Sequence, residues 1–284
     1  MSNTGKIKEI WRYPVKSMRG EQLQSCQIGE SGLVGDRAWA VRDEVAGEVR
    51  GGRHLPRLLH CYSSYEVEPQ SEPYPAAKIR FPDASEISSD DPGANEKLSE
   101  WMQQDVSIWA IQPEDNTEHY RRLPMTEESL MQEFGREPGE PLPDLSKMPE
   151  VLMKYVSVPG TYFDVSPVQL LTTATLKHLA ELNPEADWAI PRFRPNLVID
   201  TGDEVGLLEN NWLGKTLRLG EAELMCFAPS PRCAITIHAQ GEDIGKDPSM
   251  LRTIVKHADQ NLGVYCMVKK IGKINVGDAI TVSE

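Results

Sequence analysis

Hydrophobic and polar positions alternate with a period near two along most of the first hundred residues. Lys6 to Tyr13, Ala38 to Val41 and Leu58 to Tyr62 read as short strands, with Pro14, the glycine-rich turn Gly32 to Arg37, and Pro56 between them. Turn signals about every ten residues point to a barrel or sandwich, not a βαβ repeat. One helix interrupts, entered at Asp90, Asp91 and Pro92, with Leu98, Trp101 and Met102 on its apolar face. A strand over Val106 to Ile111 closes this first unit. The second half switches between both periods. Thr172 caps a helix with Leu176, Leu179, Ala180 and Leu182 inward, and Asn183-Pro184 ends it. Asp247-Pro248 opens another, with Leu251, Ile254, Val255 and Ala258 inward. Strands are expected at 197–200, 216–219, 222–227, 233–238, 263–268 and 278–282, enough for a second barrel.

Between 113 and 167 the pattern fades. Eight of the 21 prolines fall there, with Glu127, Glu128, Glu133, Glu137 and Glu140. A short helix from Glu127 to Phe134, capped by Thr126 and stopped by Gly135, is expected inside an extended surface segment or linker, with a mobile lid as the alternative. The fold class expected is therefore mainly β with some α. The divisions expected are an N-terminal β-barrel domain over 1–118, a Pro/Glu-rich segment over 119–165 and a second β-barrel domain over 166–284.

Composition narrows the function. A net charge of −13 argues against a nucleic-acid partner, since no basic face is evident. No apolar h-region opens the chain and no run approaches the ~20 apolar residues of a membrane helix, so a cytoplasmic protein without a membrane is expected. Five cysteines, Cys26, Cys61, Cys226, Cys233 and Cys266, lie far apart with no C-x-x-C pair. Neither a zinc ribbon nor a cysteine-ligated iron–sulfur cluster fits that spacing.

One stretch carries candidate chemistry: Phe227 to His238, with Pro229 and Pro231 ahead of Arg232 and Cys233. Two prolines should force a turn, leaving a thiol at the mouth of the strand expected at 233–238, where the Arg232 guanidinium would favour the thiolate. Groups suited to anions lie elsewhere: Lys16 with Ser17, Arg37, Arg192 and Arg194 with Asn196, and the helix start at Thr172. A soft thiolate beside an anion cradle suggests a metal carried in an anionic organic ligand, with cysteine completing its coordination. A cysteine hydrolase would need a histidine base; His238 falls on the other face of the expected strand, while His178 and His257 stay open.

Read together, Tyr13-Pro-Val-Lys-Ser17, Gly32-Leu-Val-Gly-Asp-Arg37, Phe193-Arg-Pro-Asn196, Ser230-Pro-Arg-Cys233, Asn261-Leu-Gly-Val-Tyr265 and Val276-Gly-Asp278 resemble the MOSC family, the molybdenum cofactor sulfurase C-terminal domain preceded by its N-terminal β-barrel. The resemblance spans nearly the whole chain, toward the YcbX-type and amidoxime-reducing members. It implies that Cys233 binds molybdenum in a molybdopterin cofactor held by Lys16, Ser17, Arg37, Arg194 and Asn196, with hydroxyls near Thr172 and Thr175. It implies an oxidoreductase acting on small N-hydroxylated compounds, with electrons from a ferredoxin-, flavodoxin- or cytochrome b5-like protein. Two rival functions remain: a sulfur carrier with a persulfide on Cys233, and a cofactor binding or delivery protein. After Cys233 the chain reads Thr236-Ile-His-Ala-Gln-Gly-Glu-Asp where amidoxime-reducing members carry Thr-Thr-Val-Asp-Pro, so His238, Glu242 and Asp243 have no assigned role.

Overall fold

In a computed structural model describing residues 3–146 and 149–283, seven strands close into a barrel: β1 (Asn3–Arg12), β2 (Val168–Thr172), β3 (Leu197–Asp200), β4 (Thr216–Leu219), β5 (Ala222–Pro231), β6 (Asn261–Lys270) and β7 (Ala279–Ser283). The order around it is β3-β2-β6-β5-β4-β7-β1, and β1 pairs back onto β3. Only β2 and β3 run parallel. The period-two pattern sends Leu217, Leu219, Leu224, Cys226, Val264 and Ile280 into one buried core. Closure brings backbones close: a Cβ on Gly5 would sit 2.6 Å from the Asp200 carbonyl oxygen, so glycine is what the seam admits. The mainly β, partly α class expected from the pattern is what the chain adopts.

β1 lies in the first unit by sequence, yet it is a stave of the large barrel. The strand Ser25–Gly29 likewise pairs with Gly272–Asn275, so the chain's two ends interleave. A second core of Val15, Met18, Val41, Leu58, Ile79, Leu98 and Ile108 sits among short sheets and helix α1 (Ala94–Met102).

The helices follow their local signals. Thr126 forms a capping box for α2 (Glu127–Glu133), Thr172 caps α3 (Thr173–Leu182), and Asp247 caps α4 (Pro248–His257). Among the described residues no helix is long and apolar enough to cross a membrane.

Two expectations around Cys233 are corrected. Pro229 does not end the strand; β5 runs through it and has Pro231 as its last residue. Pairing with β4 stops at Met225, and the register against β6 slips between Cys226 and Ala228 and again between Pro229 and Pro231. On a one-sided, bulged strand the missing N–H of proline costs little. The strand expected over 233–238 is instead a 3-10 turn, Ala234–Ile237, with Cys233 as its first cap.

Candidate functional site

Cys233 is the cysteine that is not fully buried. Burial pushes the Cys26 and Cys61 thiols up to about 12, which keeps them inert. The turn after Cys233 is held by Thr236, whose amide and hydroxyl both donate to the Cys233 carbonyl, at 3.2 and 2.9 Å. The sulfur lies on a cavity of about 330 Å³, near the lower end of the range for small-molecule sites.

Arg53 faces the same cavity as Cys233, as Arg232 does. Arg53 lies close enough for its charge and that of a Cys233 thiolate to favour one another, while Arg232 donates to the Phe193 carbonyl (2.7 Å) and the Ser230 hydroxyl (3.0 Å). Arg53 follows Gly51 and Gly52, a pair the sequence reading passed over. The Gly52 amide donates to the Ser17 hydroxyl at 2.8 Å. A Cβ on Gly51 would reach within 2.7 Å of that same oxygen, so this approach depends on glycine. Two glycines before an arginine, just after a strand, were the available signal.

Around the cysteine stand Ser17, Arg37 and Arg194, all lining the cavity. Each has positive φ (69°, 49° and 54°), and they are three of only seven non-glycine residues so placed among the described residues. Such backbones cost on the order of 1–3 kcal/mol each and persist where surrounding structure over-determines them, as at ligand sites. Lys16 reaches in behind them, its Nζ donating to Asp164 at 2.6 Å and to the Tyr162 carbonyl at 2.9 Å. Burial pulls Lys16 down to about 8 against the opposing pull of Asp164. Arg37 also donates to Asp164, at 3.1 Å. Burial would raise the Asp164 carboxyl, but Lys16, Arg37 and Arg53 outweigh it and hold it well below the usual range. Arg194 lies over the Tyr13 ring at 4.3 Å, and burial pulls it down to about 10. Buried N–H groups on Arg37 (Nε), Arg194 (Nη2) and Arg232 (Nε) make no hydrogen bond, though Arg37 Nε lies 3.8 Å from the Asp36 carboxylate. Among the described residues, five arginines line this cavity against three carboxylates, a positive pocket in an acidic chain.

The Pro/Glu-rich segment is no detached linker, because it roofs the site. Glu133 on α2 accepts from Arg53 at 2.5 Å and lies 3.8 Å from Arg122. Gly135 ends the helix at φ 59°, where a Cβ would come within 3.3 Å of Ala234 Cα. Arg136, buried, donates to Gln260 (3.0 Å) and to the Arg232 carbonyl (3.4 Å). Glu133 therefore ties the segment to Arg53, and Arg136 ties it to the carbonyl of the residue before Cys233.

Five expected site residues do not line the cavity: Lys16, held behind it by Asp164, and Thr172, Thr175, Arg192 and Asn196. Thr172 and Thr175 hydroxyls both donate to the buried Glu209, at 2.6 and 2.5 Å, because that carboxylate lies in the helix N-terminal turn. Arg192, fully buried, holds the loop after Cys233 through the carbonyls of Thr236 (2.9 Å) and Gly245 (2.8 Å) and through Asp187 (2.8 Å). Asn196 staples Asp36 (3.1 Å) to the Gln169 amide (3.0 Å). Asp36 in turn accepts from the Tyr13 amide at 2.7 Å, so Arg192 and Asn196 stand one layer behind the cradle. His238 contributes a carbonyl to Arg192, Asp243 pairs with Arg19, and no described histidine lines the cavity.

Comparison with known proteins matches residues 140–281 to the MOSC domain and residues 4–120 to the MOSC N-terminal beta barrel domain. Mitochondrial amidoxime reducing component 2 of Bos taurus is 24% identical over 309 residues, covering 99% of this chain and 84% of that protein. The Homo sapiens protein of the same name is 25% identical over 307 residues, with the same coverage. Mitochondrial amidoxime-reducing component 1 of Xenopus laevis is 26% identical over 310 residues, covering 99% and 82%.

Proposed function

The chain belongs to the MOSC family, and from that premise we propose that it is a molybdenum-cofactor oxidoreductase that reduces N-hydroxylated compounds. The observation that carries this reading is the partly exposed Cys233 on a cavity lined by five arginines. An anionic pterin with its phosphate matches those guanidinium groups by charge and by their forked donor geometry. Among the described residues no three His, Cys, Asp or Glu side chains gather where they could hold a metal, and a metal arriving inside its own organic ligand needs only one protein donor.

In this reading Cys233 Sγ supplies that donor. Lys16, Arg37 and Arg194 hold the anionic parts of the cofactor, and the Ser17 hydroxyl fixes the Gly52 amide so that Arg53 stays beside the sulfur. When bound, the cofactor supplies two-electron chemistry that removes oxygen from an N–O bond. The roof of the cavity keeps bulk water from the reacting end. Electrons would come from a separate donor, ferredoxin-, flavodoxin- or cytochrome b5-like. We further propose that the barrel unit 166–284 carries the site, that 1–118 frames it with β1 lent to the barrel, and that 119–165 covers it.

The test is reduction of benzamidoxime by the protein from a cofactor-competent host, with a reduced viologen as electron donor. Benzamidine should form with wild type and fall to background with Cys233→Ser. Equal rates for the two would overturn the reading. A cysteine hydrolase is disfavoured because no described histidine reaches the cavity to serve as base.

A further inference from the structure

The chemistry proposed above uses the cationic floor of the cavity and gives its roof no part in choosing the substrate. Leu130 and Phe134, at α2, and Leu152, Met153 and Val156, in and after the turn Glu150–Met153, face the same cavity as Cys233. Helix α2 has no buried residue of its own. Leu130, Phe134, Leu152 and Met153 belong to none of the buried clusters that make the molecule's cores, while Val156 ties the roof to one of them. Met153 is 64% exposed. Apolar side chains kept out of every core, gathered over a concave site, are matched to an apolar ligand group. Charge points the same way. Glu133 is committed to Arg53 and Arg122, and Asp164 to Lys16 and Arg37. The third carboxylate, Glu150, is solvent-exposed at the start of the turn.

We propose that this roof selects, among N-hydroxylated compounds, those carrying an uncharged apolar body, an aryl group or an alkyl chain of several carbons. That body would lie beneath Phe134 and Met153 while the N–OH end faces Cys233. The proposal rests on the reductase reading of the same site and adds the substrate class to it.

The experiment uses straight-chain amidoximes from methyl to heptyl. Their affinity for the purified, cofactor-loaded protein is measured by calorimetry and their KM in the viologen assay. Affinity should tighten by about twofold to fourfold per methylene, since a buried CH2 contributes up to ~0.8 kcal/mol. An analogue ending in an ammonium group should lose that gain. Met153→Ser, whose exposure makes the change harmless to folding, and Phe134→Ser should both flatten the series. A flat wild-type series, or variants that keep its full slope, would overturn the proposal. Chain-length dependence with no member reduced would keep the roof and sink the reductase reading. Reduction of every member at one KM would keep the reductase and sink the roof.

Discussion

Lys16 and Asn196 show how differently two polar residues behind one cavity act. Lys16 is nearly buried, and burial holds it at about 8, below its ordinary 10.5. Between those values the unfolded chain binds the proton that the folded chain has released, so this group makes stability rise with pH across that window. Anion holding runs the other way, because the ammonium charge disappears as pH rises through about 8. Pterin retained after dialysis should therefore fall between pH 7 and pH 9 in wild type, and Lys16→Arg should remove that dependence. A pH-independent wild type would show that Lys16 holds nothing anionic. Asn196 instead satisfies Asp36, the Gln169 amide and the Trp11 carbonyl. Asn196→Ala strands buried partners, so chemical denaturation should show a loss of roughly 2–4 kcal/mol. Pterin content per folded molecule should stay near wild type. Full stability with lost pterin would return Asn196 to direct cofactor contact.

At the scale of elements, the segment over the site is held by few polar latches. The Arg53–Glu133 pair is partly buried, with 20% and 14% of the side chains exposed. Losing it in Glu133→Gln should cost about 1 kcal/mol, near a fivefold rise in the open population. Limited proteolysis within 122–156 should speed up by that factor, and an unchanged rate would mean that α2 is held by something else. Gly135→Ala tests the other side of the same contact. A non-glycine residue at φ 59° costs about 1–2 kcal/mol. Its Cβ would press on Ala234 Cα and the Ile237 side chain, so disturbance of the Cys233 turn should appear as lowered metal content. Local chemistry made these elements legible in the sequence. Thr126, Thr172 and Asp247 each announce a helix, and Gly135 a stop, through contacts within a few residues. The turn after Cys233 was misread because Pro229 and Pro231 are strand breakers only where both edges are paired. Beyond Met225, β5 has one neighbour, a fact of tertiary structure.

For the whole molecule, the alternation of apolar positions was enough for a mainly β class, and the motifs were enough for the family. The pairing of β1 with β3 and of Ser25–Gly29 with Gly272–Asn275 joins residues far apart in the chain, and no local pattern encodes it. The cradle was legible in part for the same reason. Ser17, Arg37, Arg194 and Cys233 stand in short motifs and do meet at one cavity. Arg53 and the turn Glu150–Met153 come from segments whose composition reads as loop, and Thr172, Thr175 and Arg192 serve buried partners that sequence could not reveal. The central proposal is that Cys233 is the protein's one donor to a cofactor-borne metal. The most direct test is molybdenum and pterin content of the protein purified from a cofactor-competent host, beside Cys233→Ser. The account predicts about one molybdenum and one pterin per chain in wild type, with the metal lost in the variant. A metal-free wild type carrying a persulfide on Cys233 would contradict it.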